Sequence, residues 1–219
     1  MFTHIALPHL AKVPEEFYSH YIGKGINDID ESLRFNSYYY TNPLYANRLT
    51  NYKGKNLPTR VQRQHFLEEA AEDWFKTVLF NDEDTSWFTR VGYAISEGPQ
   101  IQAPHGDDCR WRLFYLIERG GEDAVTNFWL EKDKPLEREP LVTVDSYDDL
   151  MLIEQVKFPL NTWVLFNSRI IHSVENLESR RVSIQISLKN LPSSLEAMRN
   201  SCFQPDVDLQ SIFRYTARA

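Results

Sequence analysis

The sequence predicts a mainly β fold with supporting helices, arranged as a β-sandwich or barrel that N-terminal helices brace. From position 87 onward, short alternating segments are separated by turn residues such as Gly120-Gly121. Before that point, the longest regular pattern has the three- and four-residue spacing of an amphipathic helix. Short strands after a helical N-terminal third are typical of sheets that pack face to face or close on themselves.

The predicted elements are as follows, in chain order. A short helix is expected at 14–22, and the Tyr-, Asn-, Gly- and Pro-rich stretch 37–58 predicts loop or irregular strand. The pattern at 60–79 predicts the main helix. A short helix is expected at 193–200, and no structure is assigned to the tail 205–219. The predicted strands are 87–96, 101–107, 110–118, 125–131, 151–158, 162–167 and 181–188.

The length of 219 residues suits a single domain with a full core. We expect a helical and irregular N-terminal part at 1–86, a β core at 87–190, and a C-terminal helix and tail at 191–219. The net charge of -7 and the lack of a Lys/Arg cluster argue against duplex nucleic acid as a partner. Oligomeric state is not predicted.

The N-terminus and the number of cysteines indicate the cellular compartment. The first residues lack the basic and apolar regions of a signal peptide, and no apolar run approaches the roughly 20 residues of a membrane span. Only two cysteines occur, Cys109 and Cys202, so a disulfide framework is absent. We therefore expect a protein of the cytoplasm with no membrane partner.

The first chemical motif is His105-Gly106-Asp107. In a strand, positions i and i+2 point to the same face, so an imidazole and a carboxylate would converge on one point. His172 follows sixty-seven positions later, where an apolar segment runs into a polar turn. Each piece alone is common. Two imidazoles and one carboxylate form the facial triad of non-haem Fe(II) sites, whereas a structural zinc site would need a fourth protein ligand.

The second motif is Arg181-Val182-Ser183, nine residues beyond His172. It opens a strand whose apolar residues all fall on one face and whose polar residues fall on the other. If this strand lines a barrel, the polar face looks into a cavity. Arg181 beside Ser183 would then suit a dicarboxylate, because guanidinium offers a two-pronged donor and the hydroxyl adds a third.

Taken together, His105-Gly106-Asp107, His172 and Arg181-Val182-Ser183 resemble the His-x-Asp…His…Arg-x-Ser pattern of the Fe(II)/2-oxoglutarate oxygenases. The resemblance covers about 87–190. It implies a double-stranded β-helix, or jelly roll. Within that superfamily, 105–113 is similar to the aspartyl/asparaginyl hydroxylases, except that those lack the carboxylate at Asp107, and 165–169 is closer to prolyl-hydroxylase-like members.

The resemblance implies roles for these residues. His105, Asp107 and His172 would bind Fe(II), while Arg181 and Ser183 would hold the distal carboxylate of 2-oxoglutarate. The implied reaction uses O₂ and hydroxylates a protein side chain or small molecule, releasing succinate and CO₂. The carboxylate of Asp107 favours hydroxylation, because related halogenases replace it with a small residue.

Two further residues are weaker candidates. Arg112 could be a second anion contact, although surface charge or a salt bridge explains it equally well. Tyr93 could hydrogen-bond the keto acid, although a tyrosine in the core is the more common case.

Two other functions stay open at this point. A cupin-type metal enzyme that uses no keto acid would need a further His or Glu ligand near the first motif. Glu118 lies thirteen residues past His105, which is further than expected for such a ligand. A non-catalytic jelly-roll binding module is the other alternative, since a fold does not determine a function.

Overall fold

The structure, a computed structural model, is built mainly from antiparallel strands. It describes residues 3–19, 22, 37–40, 49–52, 55–58, 62–66, 69–81, 88–96, 98–107, 109–132, 142–143 and 147–201. The strands are β1 His4–Leu7, β2 Ser37–Tyr40, β3 Leu49–Tyr52, β4 Lys55–Pro58, β5 Gln62–Phe66, β6 Phe88–Ser96, β7 Gln100–Gly106, β8 Trp111–Arg119, β9 Val125–Glu131, β10 Val142–Thr143, β11 Leu150–Val156, β12 Trp163–Asn167, β13 Ile171–Leu177 and β14 Arg181–Leu188.

Helices are a minor part of the described residues. The α-helix α1, Glu69–Trp74, continues directly into a π-helical turn at Phe75–Leu79. The remaining helical segments are 3-10 helices at Glu15–Phe17, Tyr147–Asp149 and Ser193–Ser201. No helix in the described part of the chain is long and apolar enough to cross a membrane.

Two sheets form the body of the fold. The larger has the order β1-β12-β8-β14-β6-β5-β2, and the smaller has the order β10-β7-β13-β9-β11. Four strands of the larger sheet, β6, β8, β12 and β14, face four strands of the smaller sheet, β7, β9, β11 and β13. Eight antiparallel strands divided in this way are a jelly roll, which confirms the predicted fold class.

The larger sheet buries both of its faces. Its outer face packs on α1, the π-helical turn and the N-terminal segment, with Phe75, Trp163 and Ile184 among the buried residues. Its inner face meets the smaller sheet through an aromatic cluster that we call the inner core. The inner core consists of Phe114, Leu116, Phe128, Phe158, Val164, Phe166 and Ile170.

The N-terminal strand closes one side of the barrel. His4 lies opposite Phe166 in the register of β1 and β12, at the edge of the larger sheet. Its ring stacks on Phe128 of the smaller sheet, with ring centroids 6.1 Å apart. The hydroxyl of Thr3 donates a hydrogen bond to Glu154 on β11. Thr3 and His4 therefore join the free edges of the two sheets.

All seven predicted strands occur, with ends shifted by no more than two residues. The helix predicted at 60–79 is wrong in its first part, where β5 pairs with β6 and extends the larger sheet. Pairing with an available sheet edge outweighed local helical preference there. Within the helix predicted at 14–22, the described residues contain a 3-10 helix at Glu15–Phe17, and the segment at 193–200 is 3-10 helix. The tail 205–219 lies outside the described residues.

Strand β13 is absent from the prediction, although it carries His172. It is the central strand of the smaller sheet and is buried on both faces. Buried polar residues on it, Ser173 and Glu175, break the alternation of apolar and polar residues by which strands are found in sequence. The segment 37–58, predicted as loop or irregular strand, contains β2, β3 and β4.

Phe75 tests the packing of the helical segment on the larger sheet. Its ring is fully buried and meets Trp163 edge to face, with centroids 5.9 Å apart. We expect Phe75→Ala to lower the free energy of unfolding by about 3–5 kcal/mol, because it leaves a cavity beneath the sheet. Val78→Ala is the matched control, since Val78 lies on the same turn and is exposed; its effect should stay within about 0.5 kcal/mol. Urea unfolding of both variants measures the difference, and equal losses would contradict this packing.

Candidate metal centre

Two histidines face each other at one end of the barrel. His105 lies near the end of β7 and His172 near the start of β13, and they are direct partners in the register of these strands. Their ring centroids are 4.4 Å apart. Asp107 follows β7 directly, and its carboxylate approaches both rings. One ligand atom from each of the three residues lies within 4.8 Å of the other two.

Backbone hydrogen bonds hold Asp107 in place after its strand ends. Its N–H donates to the carbonyl of Ser168, at 2.8 Å, and the N–H of Ser168 donates to the carbonyl of Arg110, at 3.0 Å. The Ser168 hydroxyl donates to the carbonyl of Cys109, at 2.7 Å. The turn before β13 is thus bonded to the loop after β7, so the segments that carry the three side chains form one unit.

The hydrogen bonds of both imidazoles leave Nε2 available as a ligand. His105 Nδ1 lies 2.8 Å from the carbonyl oxygen of Ala103, and His172 Nδ1 lies 2.8 Å from that of Ile170. A carbonyl oxygen only accepts, so each Nδ1 carries the proton and donates it. Each Nε2 then presents a lone pair, and both lie about one ion's width from the carboxylate, at 3.8 and 4.0 Å.

Asp107 is held in its charged form. Burial alone would raise its pKa, but the charge of Arg112 and the hydrogen bond that it donates outweigh that effect and hold the pKa of Asp107 well below its usual range; either imidazole, when protonated, lowers the pKa further. The strongest contact is the ion pair with Arg112, whose Nη2 lies 2.6 Å from Oδ2. The carboxylate is therefore an anion at any pH at which the protein would work.

This donor set fits a divalent transition metal with open coordination positions. Two neutral imidazoles and one carboxylate match the facial arrangement of non-haem Fe(II) sites. Among the described residues, no fourth His, Cys, Asp or Glu joins the group. Glu118, which the sequence already placed further from His105 than a cupin-type ligand is expected to lie, forms an ion pair with Arg180.

Arg181 is a buried cation further inside the barrel. Its side chain donates to the backbone carbonyl of Arg119, at 3.0 Å, and to the hydroxyl of Thr126, at 3.5 Å, and it lies 5.5 Å from the ring centre of Phe114. Within the described ranges of the chain, no carboxylate pairs with it. Burial, and secondarily the charge of Arg119, lowers the pKa of Arg181 to about 10, so it stays protonated at neutral pH. Buried charges are normally paired, so this guanidinium suits a bound anion.

The strand register gives the separation between the two parts of the site. Phe128 lies opposite His172, and Thr126, which contacts Arg181, lies two residues further along β9. At about 3.3 Å per residue, the guanidinium lies roughly 7 Å along the strand from the level of the metal centre. A short dicarboxylate spans such a distance.

The other residues proposed from the sequence have mixed outcomes. Ser183 is buried on β14 and accepts a hydrogen bond from Gln185, at 3.2 Å. Tyr93 is not at the site. It lies opposite Ile184 and packs in the buried cluster on the outer face of the larger sheet, which points away from the metal centre. Arg112 binds Asp107 rather than a free anion position, as its salt-bridge alternative predicted.

Three residues at the site were not proposed from the sequence. Thr126 and Phe114 surround the guanidinium of Arg181, and Ser187 accepts a hydrogen bond from Arg112, at 2.7 Å. Ser187 lies on the polar face of β14 that the alternation already marked, so the pattern contained a signal for it. Nothing in the sequence distinguishes Thr126 from other strand threonines.

No protein-family model matches the chain, and no curated protein matches it. Solved structures to which this chain is similar include E. coli ycfD, at 12% identity and a TM-score of 0.41, over 68% of this chain and 42% of that one. An oxidoreductase of the 2OG-Fe(II) oxygenase family from Burkholderia pseudomallei has 9% identity and a TM-score of 0.39, over 66% and 75%. A cupin-like protein from Thermotoga maritima has 14% identity and a TM-score of 0.30, over 60% and 71%.

The chain thus spans less than half the length of ycfD. With identities of 14% or less, these likenesses assign no activity and no ligand to this chain.

Removal of one imidazole tests the metal centre directly. We expect His172→Ala to weaken Co(II) binding by more than about 100-fold, since loss of a ligand costs more than loss of a residue that merely supports one. His9→Ala is the control, because His9 is exposed and lies outside the group. Calorimetric titration of both variants measures the affinities. Wild-type affinity in His172→Ala would contradict the assignment.

Proposed function

We propose that this chain is an Fe(II)- and 2-oxoglutarate-dependent dioxygenase that hydroxylates an unactivated C–H bond of a protein side chain or small molecule. One observation carries the proposal: a two-histidine, one-carboxylate group lies at one end of the barrel, and a buried guanidinium without a carboxylate partner among the described residues lies about two strand positions further in. The first part suits iron, and the second suits the distal carboxylate of 2-oxoglutarate.

The residues at the site would have separate roles in binding the metal and the co-substrate. His105, Asp107 and His172 would hold the metal through three adjacent positions and leave three others open. Arg181 would bind the distal carboxylate of the keto acid, with Thr126 and Ser183 as neighbouring hydroxyl groups on the inner faces of the strands. When bound, iron and 2-oxoglutarate supply the oxidation, in which O₂ gives one oxygen atom to succinate and one to the substrate, with release of CO₂.

The aromatic inner core would exclude water from the reacting centre. The ring of Phe166 lies 5.4 Å from that of His172, and the ring of Phe128 lies 6.4 Å from it. Both phenylalanines are buried. A dry environment strengthens the attraction between Arg181 and a carboxylate, because the interaction between charges grows as the dielectric constant falls.

Turnover of 2-oxoglutarate tests the proposed activity. We expect the wild-type protein, supplied with ascorbate as the reductant, to convert 2-oxoglutarate to succinate only when ferrous iron is present, even without its substrate. His105→Ala should abolish this conversion, while the control His9→Ala should retain it. Succinate is quantified by mass spectrometry. Full conversion by His105→Ala, or conversion by the metal-free protein, would refute the proposal.

Arg181 tests the co-substrate site separately from the metal. We expect Arg181→Ala to weaken 2-oxoglutarate binding by about 100-fold, since it removes charge-assisted hydrogen bonds worth about 3 kcal/mol in total. The affinity for Fe(II) should change little. The adjacent Arg180→Ala is a matched control, because Arg180 pairs with Glu118.

Anaerobic titration of the Fe(II)-loaded protein supplies the readout. A weak visible absorption band appears when a keto acid chelates iron, and its dependence on concentration gives the affinity. An unchanged affinity in Arg181→Ala would show that the anion binds elsewhere. Absence of the band in the wild type would favour a cupin-type enzyme that uses no keto acid.

A further inference from the structure

Arg112, on β8, connects the proposed metal ligand Asp107 to the neighbouring strand β14. Its Nη2 donates to Asp107 Oδ2, at 2.6 Å, and its Nη1 donates to the hydroxyl of Ser187, at 2.7 Å. Arg112 and Ser187 are direct partners in the register of β8 and β14, and both are buried. The guanidinium is therefore anchored in the larger sheet by Ser187 and reaches across to Asp107, which follows β7 of the smaller sheet.

This contact acts on the least constrained of the three proposed ligands. The two histidine rings are oriented by hydrogen bonds to the carbonyls of Ala103 and Ile170. Asp107 lies beyond the end of β7, and its backbone bond to Ser168 does not fix the rotation of its carboxylate. The bond from Arg112 does, because it occupies Oδ2, which lies 4.0 Å from His172 Nε2, and leaves Oδ1 without this contact, at 3.8 Å from His105 Nε2.

We infer that Arg112, anchored by Ser187, is a positioning residue that restricts Asp107 to binding the metal through a single oxygen. The inference rests on the proposed function. A carboxylate free of this contact can place both oxygens on one ion and occupy a position that the reaction needs. With Oδ2 held by Arg112, three adjacent positions stay open for the keto acid and for O₂.

The arrangement of charges also bears on which co-substrate can bind. Arg112 neutralises Asp107, so a bound divalent ion keeps its full positive charge toward the interior of the barrel. Arg181 adds a further positive charge there. A dianionic co-substrate is favoured at this site over a neutral one.

The experiment counts the water molecules coordinated to bound Mn(II). This measurement needs no turnover. Water-proton relaxation gives that number, and titration of the same samples gives the affinity. We expect about three waters in the wild type. In Arg112→Met we expect about two, with Mn(II) affinity weaker by 10- to 100-fold, the usual effect of losing a residue that supports a ligand.

Two variants and one control separate positioning from a loss of folding. Ser187→Ala removes only the anchor of Arg112. It should also lower the number of waters, with a smaller loss of Mn(II) affinity than Arg112→Met. Arg112→Lys keeps a charge without the planar pair of donors, so it should recover little. Arg180→Met is the control, since Arg180 pairs with Glu118 and lies outside the metal group, so it should keep the wild-type values.

The possible outcomes distinguish this inference from the proposed function. Wild-type water number and affinity in both Arg112→Met and Ser187→Ala would overturn the inference and leave the proposed function standing. Failure of the wild-type protein to bind Mn(II) would overturn both. Binding with the expected changes, but without any conversion of 2-oxoglutarate, would support the positioning role and refute the proposed function.

Discussion

The pairing of β7 with β13 is the constraint on which the candidate site depends. His105 and His172 meet because they are direct partners in one antiparallel register. Side chains alternate between the faces of a strand, so a slip of one residue would turn one imidazole to the opposite face. The hydrogen bonds of Ser168 to the loop after β7 hold this register at the end where the ligands lie. Geometry of the strands, more than any single contact, assembles the three side chains.

The sequence predicted seven of the eight strands of the jelly roll and the main residues of the candidate site, for identifiable reasons. The alternation in 181–188 separates a polar face from an apolar one, and the structure turns the polar face inward. The register that brings His105 to His172 could not be predicted, because it depends on contacts between distant segments. Tyr93 shows the same limit: alternation tells which residues share a face, and only the packing of the whole sheet decides which face is inside.

The charges inside the barrel contrast with those of the whole chain. The chain has a net charge of -7, yet the inner face of the larger sheet presents the buried guanidinium groups of Arg112 and Arg181. Asp107 compensates the first, and the second has no carboxylate partner in the part of the chain that the structure describes. Buried cations inside a chain of net negative charge favour anions at the candidate site.

The strand formed by His4–Leu7 has a consequence for the order of folding. It pairs with residues 163–166, so the contact joins segments about 160 positions apart in the chain. Contacts between such distant segments form slowly, because a long loop must close first. During synthesis β1 is made long before its partner β12. Once β12 has formed, its edge stays unprotected until β1 pairs with it. A newly made chain would therefore be most vulnerable to aggregation along that edge.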